Sequence, residues 1–458
     1  MILTVLAFIV VLGITITIHE FGHFAMAKLL KIRVLVFSIG FGPKLVGFTR
    51  GGTEYRVSPI PVGGYVKMAG EAFGEERQGA QDEFLSHPKW HRFLVALAGP
   101  AMNVLLAVFI VSFAYMEGIQ VPRYLKGPAV VGPVAAGSIA QRAGLQSGDR
   151  IISVHRTPVT TWEDMEIALA TAPKDALEIV AQRGSGQVAL KLDPPAAGQV
   201  TPTALGIKFT LPATVVSGVS LHSPAQKAGL MPGDEILSVR GNGKSAESYD
   251  AILNIISGSK GIPLTFDVWR PKEWKQGELL STGQARPPGE RIELRIVPEE
   301  TEGRVLIGFF PEVPTDFEKF GVLGAVRESV KHNYQLAALT FRIVGRIFTG
   351  SASVKTISGP LEIARISGDA ARTGSVRVFL RLLALISLQL GVFNLLPIPI
   401  LDGGVIALLV IESVIRRDLS IALKERIVQV GFVFLILLMG FAVINDLSKV
   451  VALDKIFR

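Results

Sequence analysis

Two imidazoles and a carboxylate stand together early in the chain, His19, Glu20 and His23, in the run IHEFGHF at residues 18–24. On a helix, positions four apart share a face. Both imidazoles can then reach one ion, and the glutamate beside the first lies close enough to take a proton from a water that the ion holds. Zinc suits such a set: it accepts neutral imidazole and carboxylate, keeps a position open for water and lowers that water's pKa to about 7. The chain has no cysteine, so thiolate sites and disulfides are excluded and any metal must rest on His, Asp or Glu. The same absence leaves the redox compartment undecided.

Two histidines and a water leave zinc one protein ligand short. Asp402 is the candidate, in FNLLPIPILDGG at residues 393–404, where two prolines and two glycines interrupt an apolar stretch. Backbone groups freed by such a break cannot face lipid, and are tolerated where they line a protein cavity or a water-filled one. The plainer alternatives are interfacial histidines facing headgroups, and an Asp-Gly helix end at the interface. His87 and His91 share the four-residue spacing, but HPKWH has no glutamate after its first histidine and contains Pro88, so they read as loop histidines. His155, His222 and His332 stand alone.

The elements that must position these groups are those of a membrane protein. Of 458 residues 49% are hydrophobic, and mean hydropathy is +0.43, too apolar for an ordinary soluble chain. Four stretches, about 2–27, 93–116, 376–396 and 427–445, approach the ~20 residues that cross a bilayer, and the third continues beyond its break into Val405–Ile415. The first lacks a basic leader and an Ala-x-Ala-like site, so it reads as a retained helix. Ten Lys or Arg lie from Lys28 to Arg92 and none from Met1 to Ile18, which sets that loop in the cytoplasm and residues 117–375 outside. Arg416, Arg417, Lys424 and Arg426 mark a second cytoplasmic turn. The net charge of +8 is spread out, without a dense basic run, and gives no support to nucleic-acid binding.

The outside region repeats itself. Ser138–Val154, SIAQRAGLQSGDRIISV, matches Ser223–Val239, SPAQKAGLMPGDEILSV, 85 residues later. Each copy reads as a short helix, an Ala-Gly-Leu stop, a Gly-Asp turn and an alternating strand. The pattern resembles bacterial PDZ domains, at 122–213 and 214–312. Such domains take peptides by strand addition, although the signature serves equally as the core of two small β-rich modules. Residues 318–349 and 361–372 read as amphipathic segments on or near the membrane. The expected fold is multi-domain: a polytopic α-helical membrane protein of four transmembrane helices, with a membrane-associated β-hairpin or sheet, plus two β-rich PDZ domains. Its parts are 1–121, 122–213, 214–312, 313–375 and 376–458.

The whole constellation resembles the site-2 proteases, zinc metalloproteases that cut peptide bonds within membranes. His19, Glu20 and His23 match their H-E-x-x-H; Asn394, Pro397, Pro399, Asp402 and Gly403 match their N-x-x-P-x-P-x-x-D-G. GTEYRVSPIPVGGYVKM at 52–68 and AGPAMN at 98–103 extend the likeness. Many relatives have histidine where this chain has Val405, a position outside the ligand set. The resemblance implies zinc on His19, His23 and Asp402, with Glu20 as general base and acid. It implies a bacterial inner-membrane protein whose substrate is a single-span membrane protein, such as an anti-sigma factor, already shortened outside by another protease. A helical substrate must unwind before hydrolysis. EYRV and GYVKM, separated by Pro59, Pro61, Gly63 and Gly64, read as a hairpin or bulged edge. Gly64, Tyr65, Val66 and Lys67 would offer the unwound chain an edge strand, with Asn394, Pro397 and Pro399 on its other side; the alternative is a plain hairpin packed under the helices. The rival functions are an inactive membrane PDZ scaffold and a metal-lined transporter, for which four spans without an inverted repeat leave little room.

Overall fold

The structure, a computed structural model, describes residues 2–71, 79–135, 137–172, 177–193, 200–209, 214–220, 223–274, 286–301, 304–348 and 359–456. His222 and residues 213 and 349, where expected boundaries fall, lie outside them. The chain forms two units, one from the described residues of Met1–Ile119, Lys319–Phe348 and Val354–Arg458, the other chiefly from Gln120–Glu318.

Four helices of the first unit are long and apolar enough to cross a membrane: α1 (Ile2–Leu29), α2 (Lys89–Glu117), a third span Val376–Asn394, and a fourth, Ala422–Leu447, within Ile421–Ile456. They correspond to the four expected stretches with shifted ends. Small residues let them approach. A Cβ on Gly22 would stand 2.3 Å from the Ala98 carbonyl oxygen, and one on Gly391 2.9 Å from that of Pro100, so glycine is what lets α1 and the third span close on α2. Val11, Ala107, Ile110, Leu383 and Leu388 are buried where these helices meet. The amphipathic segments are helices too. Val322–Phe348 runs along α2, with Ser329 Oγ donating to the Val108 carbonyl at 2.8 Å. Pro360–Arg372 lies beside α1, where Arg372 donates to Thr4 Oγ1 at 3.0 Å.

Between α1 and α2 lie β1 (Val34–Phe41), β2 (Val46–Arg50), β3 (Thr53–Val57) and β4 (Ile60–Met68), in the order β2-β3-β1-β4. Of the hairpin or bulged edge expected from residues 53–68, the hairpin is corrected and the bulged edge is formed, β4 being an outer strand whose register with β1 shifts twice. β3 pairs with β1 in parallel and β4 pairs with β1 antiparallel, so β1 separates them. The chain crosses β1 at Gly40 (φ +90°), where a Cβ would meet the Ser58 carbonyl oxygen at 2.6 Å; only a residue without a side chain leaves that route open. β4 is left as an outer strand.

The second unit contains two four-stranded sheets built alike. The first has strands Arg150–Val154, Thr157–Pro158, Leu177–Arg183 and Gly186–Leu192 with the helix Trp162–Thr171, around Ile151, Met165, Leu169 and Ile179. The second has Glu235–Gly241, Lys244–Ala246, Leu264–Pro271 and Gly289–Ile296 with Tyr249–Ser257, around Ile236, Ile252 and Phe266. Both repeats open identically: Ser138 and Ser223 cap short helices by accepting the N–H of Gln141 and Gln226.

Candidate metal centre

α1 turns His19 and His23 toward α2, one helical turn apart. His19 Nε2 lies 3.0 Å from Asp402 Oδ2, His23 Nε2 lies 3.4 Å from Asp402 Oδ1, and the two Nε2 atoms are 3.2 Å apart. The three side chains are only 7%, 12% and 19% exposed. One ligand atom from each lies within 4.8 Å of the others. Two nitrogens and a carboxylate, without sulfur, make the donor set of a hydrolytic zinc site with a place left for water.

The neighbours of these ligands are shaped for the same end. His23 Nδ1 donates to the Val95 carbonyl at 2.8 Å, which leaves the Nε2 lone pair pointing at the centre. The Asn103 amide is fully buried 3.2 Å from His19 Nδ1, and Ser387 Oγ donates to the Asn103 carbonyl at 2.9 Å. Amide nitrogen and oxygen are interchangeable by a flip; with Oδ1 toward the ring, Asn103 accepts from Nδ1–H and frees the Nε2 lone pair for a metal. Gly99 makes the room: a Cβ there would sit 2.3 Å from His23 Nε2 and 2.9 Å from His19 Cε1. The residues present fit zinc.

Asp402 reaches the centre through the break in the last third of the chain. The third span stops at Asn394, and a new helix, Asp402–Val414, begins with Asp402 itself. Between them Ile400 has φ +100°, a costly conformation for a β-branched residue. Three glycines hold the break in place. A Cβ on Gly403, Gly404 or Gly431 would come within 2.2–2.4 Å of the carbonyl oxygens of Leu396, Ile398 and Pro399.

Glu20 Oε2 accepts the N–H of Val66, on outer strand β4, at 3.1 Å. A cavity of about 430 Å³ opens beside it, lined by Glu20, His23, Tyr65, Val66, Pro399 and Asp402 among others. Asn394 Nδ2 lies 3.4 Å from His19 Nε2. Gly64 is buried beside Glu20, 3.8 Å separating a Cβ there from Glu20 Cγ. Lys67 and Pro397 are exposed and stand apart from the lining. The sequence reading missed Val95, and it noted Gly99 and Asn103 only within AGPAMN, without giving them a role, although an amide in the middle of an apolar span carries a signal. His87 and His91, expected in a loop, are bonded Nδ1 to Nδ1 at 2.9 Å, and His91 belongs to the first turn of α2.

A sequence model of peptidase family M50 matches residues 7–438. The protease RseP of Yersinia pestis is 34% identical, over 97% of this chain and 98% of its own, and the regulator of sigma-E protease RseP of Escherichia coli K12 is 33% identical over the same shares. A Neisseria meningitidis protein named as a zinc metalloprotease is 33% identical over 97% of this chain and 99% of its own. On the strength of that match across nearly its whole length, the chain belongs to peptidase family M50 and is an intramembrane zinc metalloprotease.

Proposed function

We propose that the protein hydrolyses a peptide bond inside the membrane-spanning segment of single-span proteins, of the anti-sigma-factor kind, once another protease has shortened them outside. Its place would be the bacterial inner membrane, with the repeat modules on the periplasmic face and the catalytic centre toward the cytoplasm. The names of its relatives, regulators of sigma-E, support a role in envelope stress signalling. The observation that carries the reading is the meeting of Asp402 with His19 and His23 within helices apolar enough to span a bilayer.

A helical substrate keeps its carbonyls in internal hydrogen bonds, so it must be held extended before it is cut. Among the described residues no strand pairs with the outer side of β4, on which an unwound segment can add as a strand, aligned along Tyr65 and Val66. Asn394 would hold its backbone from across the cavity. His19, His23 and Asp402 are the residues that would hold zinc. When bound, zinc supplies Lewis-acid activation of water and of the scissile carbonyl. Glu20 takes the proton from the attacking water and returns it to the leaving nitrogen. Val95 and Asn103 keep the imidazoles in the required tautomer throughout. The outside modules, read as PDZ domains, would admit only trimmed substrates, by size or by binding their new ends.

The decisive experiment compares wild type with Glu20→Gln on a tagged single-span substrate, with zinc content measured on both. Glu20→Gln should retain the metal and lose the cleavage, by roughly a hundredfold or more in kcat. Equal cleavage by the two proteins would refute the assignment of Glu20.

A further inference from the structure

The wall of the cavity beside Glu20 and Asp402 also contains Arg92, in the first turn of α2. Arg92 is only 7% exposed. Among the described residues its buried Nε has no hydrogen-bond partner, and no carboxylate pairs with its guanidinium. The other charged groups of the wall are engaged. Lys424 lies 2.6 Å from Glu412, the two side chains being 12% and 1% exposed, and Glu412 Oε1 also accepts the Leu419 N–H at 2.9 Å. Glu71 accepts the Met68 N–H at 3.1 Å. Asp418, which feels Arg92 at longer range, is 66% exposed and already bonded to Lys89 at 2.9 Å.

A buried guanidinium without a counter-charge is costly, and its planar fork matches a carboxylate. We infer that Arg92 determines specificity by binding a substrate carboxylate, from an aspartate or glutamate side chain close to the bond that is cut. The inference rests on the substrate occupying this cavity, as proposed above. Val95, whose carbonyl holds His23, is one turn further along α2, a rise of about 4.5 Å for three residues. An extended chain advances about 3.3 Å per residue. The recognised carboxylate therefore lies within roughly three residues of the scissile bond. Enclosure by protein favours a substrate side chain over a lipid phosphate, since the guanidinium is hardly presented to headgroups.

The test uses the full-length zinc-loaded protein in bicelles and one single-span substrate whose cut bond is first located by mass spectrometry. Glu or Gln is then placed at each of three positions on either side. Wild type should cut one Glu substrate with kcat/KM about tenfold above its Gln partner, and Arg92→Gln should bring that ratio to about one. Arg92→Lys, which keeps the charge, should retain part of the preference, and Arg92→Glu should prefer Lys at the same position. Absence of a preference in wild type, or its survival in Arg92→Gln, overturns the inference. So does a rate that depends on anionic lipid in wild type alone while substrate charge has no effect, because the anion is then a lipid phosphate. Cleavage of none of the substrates, the Gln set included, overturns the proposed substrate class and this inference with it. Should Arg92→Gln lose its metal, the wild-type ratios and the Arg92→Lys variant still decide.

Discussion

The backbone N–H of Val66 donates to Glu20 Oε2 across 3.1 Å, so the proposed general base occupies a hydrogen-bonding slot on an outer strand. Val66 faces Phe37 of β1 in the antiparallel register, and its N–H points away from that partner. Two residues on, the N–H of Met68 is bonded to Glu71 at 3.1 Å. Two carboxylates thus cover successive outward donors of an edge that would otherwise invite pairing. In the proposed strand addition, a substrate carbonyl arriving at Val66 would take over its N–H and free Glu20 for the attacking water. Val66→Pro removes that donor and leaves the ligands untouched. It should lower kcat/KM roughly ten- to a hundredfold with zinc content unchanged; metal analysis beside a cleavage assay reads both, and full turnover would remove β4 from the substrate path.

Asn103 and His19 supply a second test, independent of any substrate. A fully buried amide lies 3.2 Å from His19 Nδ1 and, with its oxygen turned to the ring, would fix the ring's orientation and tautomer. Asn103→Ala should weaken zinc binding about 10- to 100-fold, as loss of an outer partner does at other zinc sites. Gly99→Ala should do at least as much, because its methyl would intrude on the His23 nitrogen. Competition with a chromophoric chelator measures both, and wild-type affinity in Asn103→Ala would assign that amide to packing alone.

What the sequence disclosed follows from how local each feature is. His19, Glu20 and His23 lie on one helical turn, so their chemistry was legible as spacing. Asp402 sits hundreds of residues away and could be suspected only as a charge in a broken apolar stretch; its approach depends on Gly403, Gly404 and Gly431, whose missing side chains matter only in three dimensions. The sheet order was illegible for the same reason, because the crossing at Gly40 leaves no hydrophobic pattern. Val95 acts through a backbone carbonyl that every residue possesses. Arg92 was counted as one of ten juxtamembrane charges, and its burial without a partner has no signature in composition.

Replacing residues 122–312 by a flexible linker tests the proposed size gate. If the modules act by exclusion, the shortened protein should cut untrimmed substrates at a rate approaching that for trimmed ones. If they act by capturing a new substrate end, the same change should slow trimmed substrates and leave untrimmed ones resistant. Cleavage of both forms, followed by electrophoresis, separates the two, and unaltered selectivity would discard the gate.

The repeat contains a staple whose pH dependence can be derived. Arg183 forks onto Asp149, with Nε at 2.8 Å and Nη2 at 2.7 Å, and also donates to the Gly144 carbonyl at 2.8 Å. Arg270 does the same to Asp234, at 2.8 and 2.7 Å, and to Gly229 at 2.7 Å. The aspartates are 1% and 0% exposed, and each also accepts the N–H three residues before it, from Gln146 and Met231. This is why Gly-Asp recurs in both copies: the carboxylate ties the turn to the strand carrying the arginine. Bonding to Arg183 holds the Asp149 carboxyl below the usual carboxylate range, against a burial effect that pushes it up, with the Gln146 N–H assisting. A lowered folded pKa means that the stabilisation is complete above the unfolded value of about 4 and disappears as pH falls through the folded one. Asp149→Asn should therefore lower the Tm of its module by roughly 5 °C at pH 7, with the gap to wild type closing as the solution is acidified below about pH 4. Calorimetry of the full-length protein at both pH values measures this; a gap that stays constant on acidification would mean that the carboxylate charge contributes nothing to the staple.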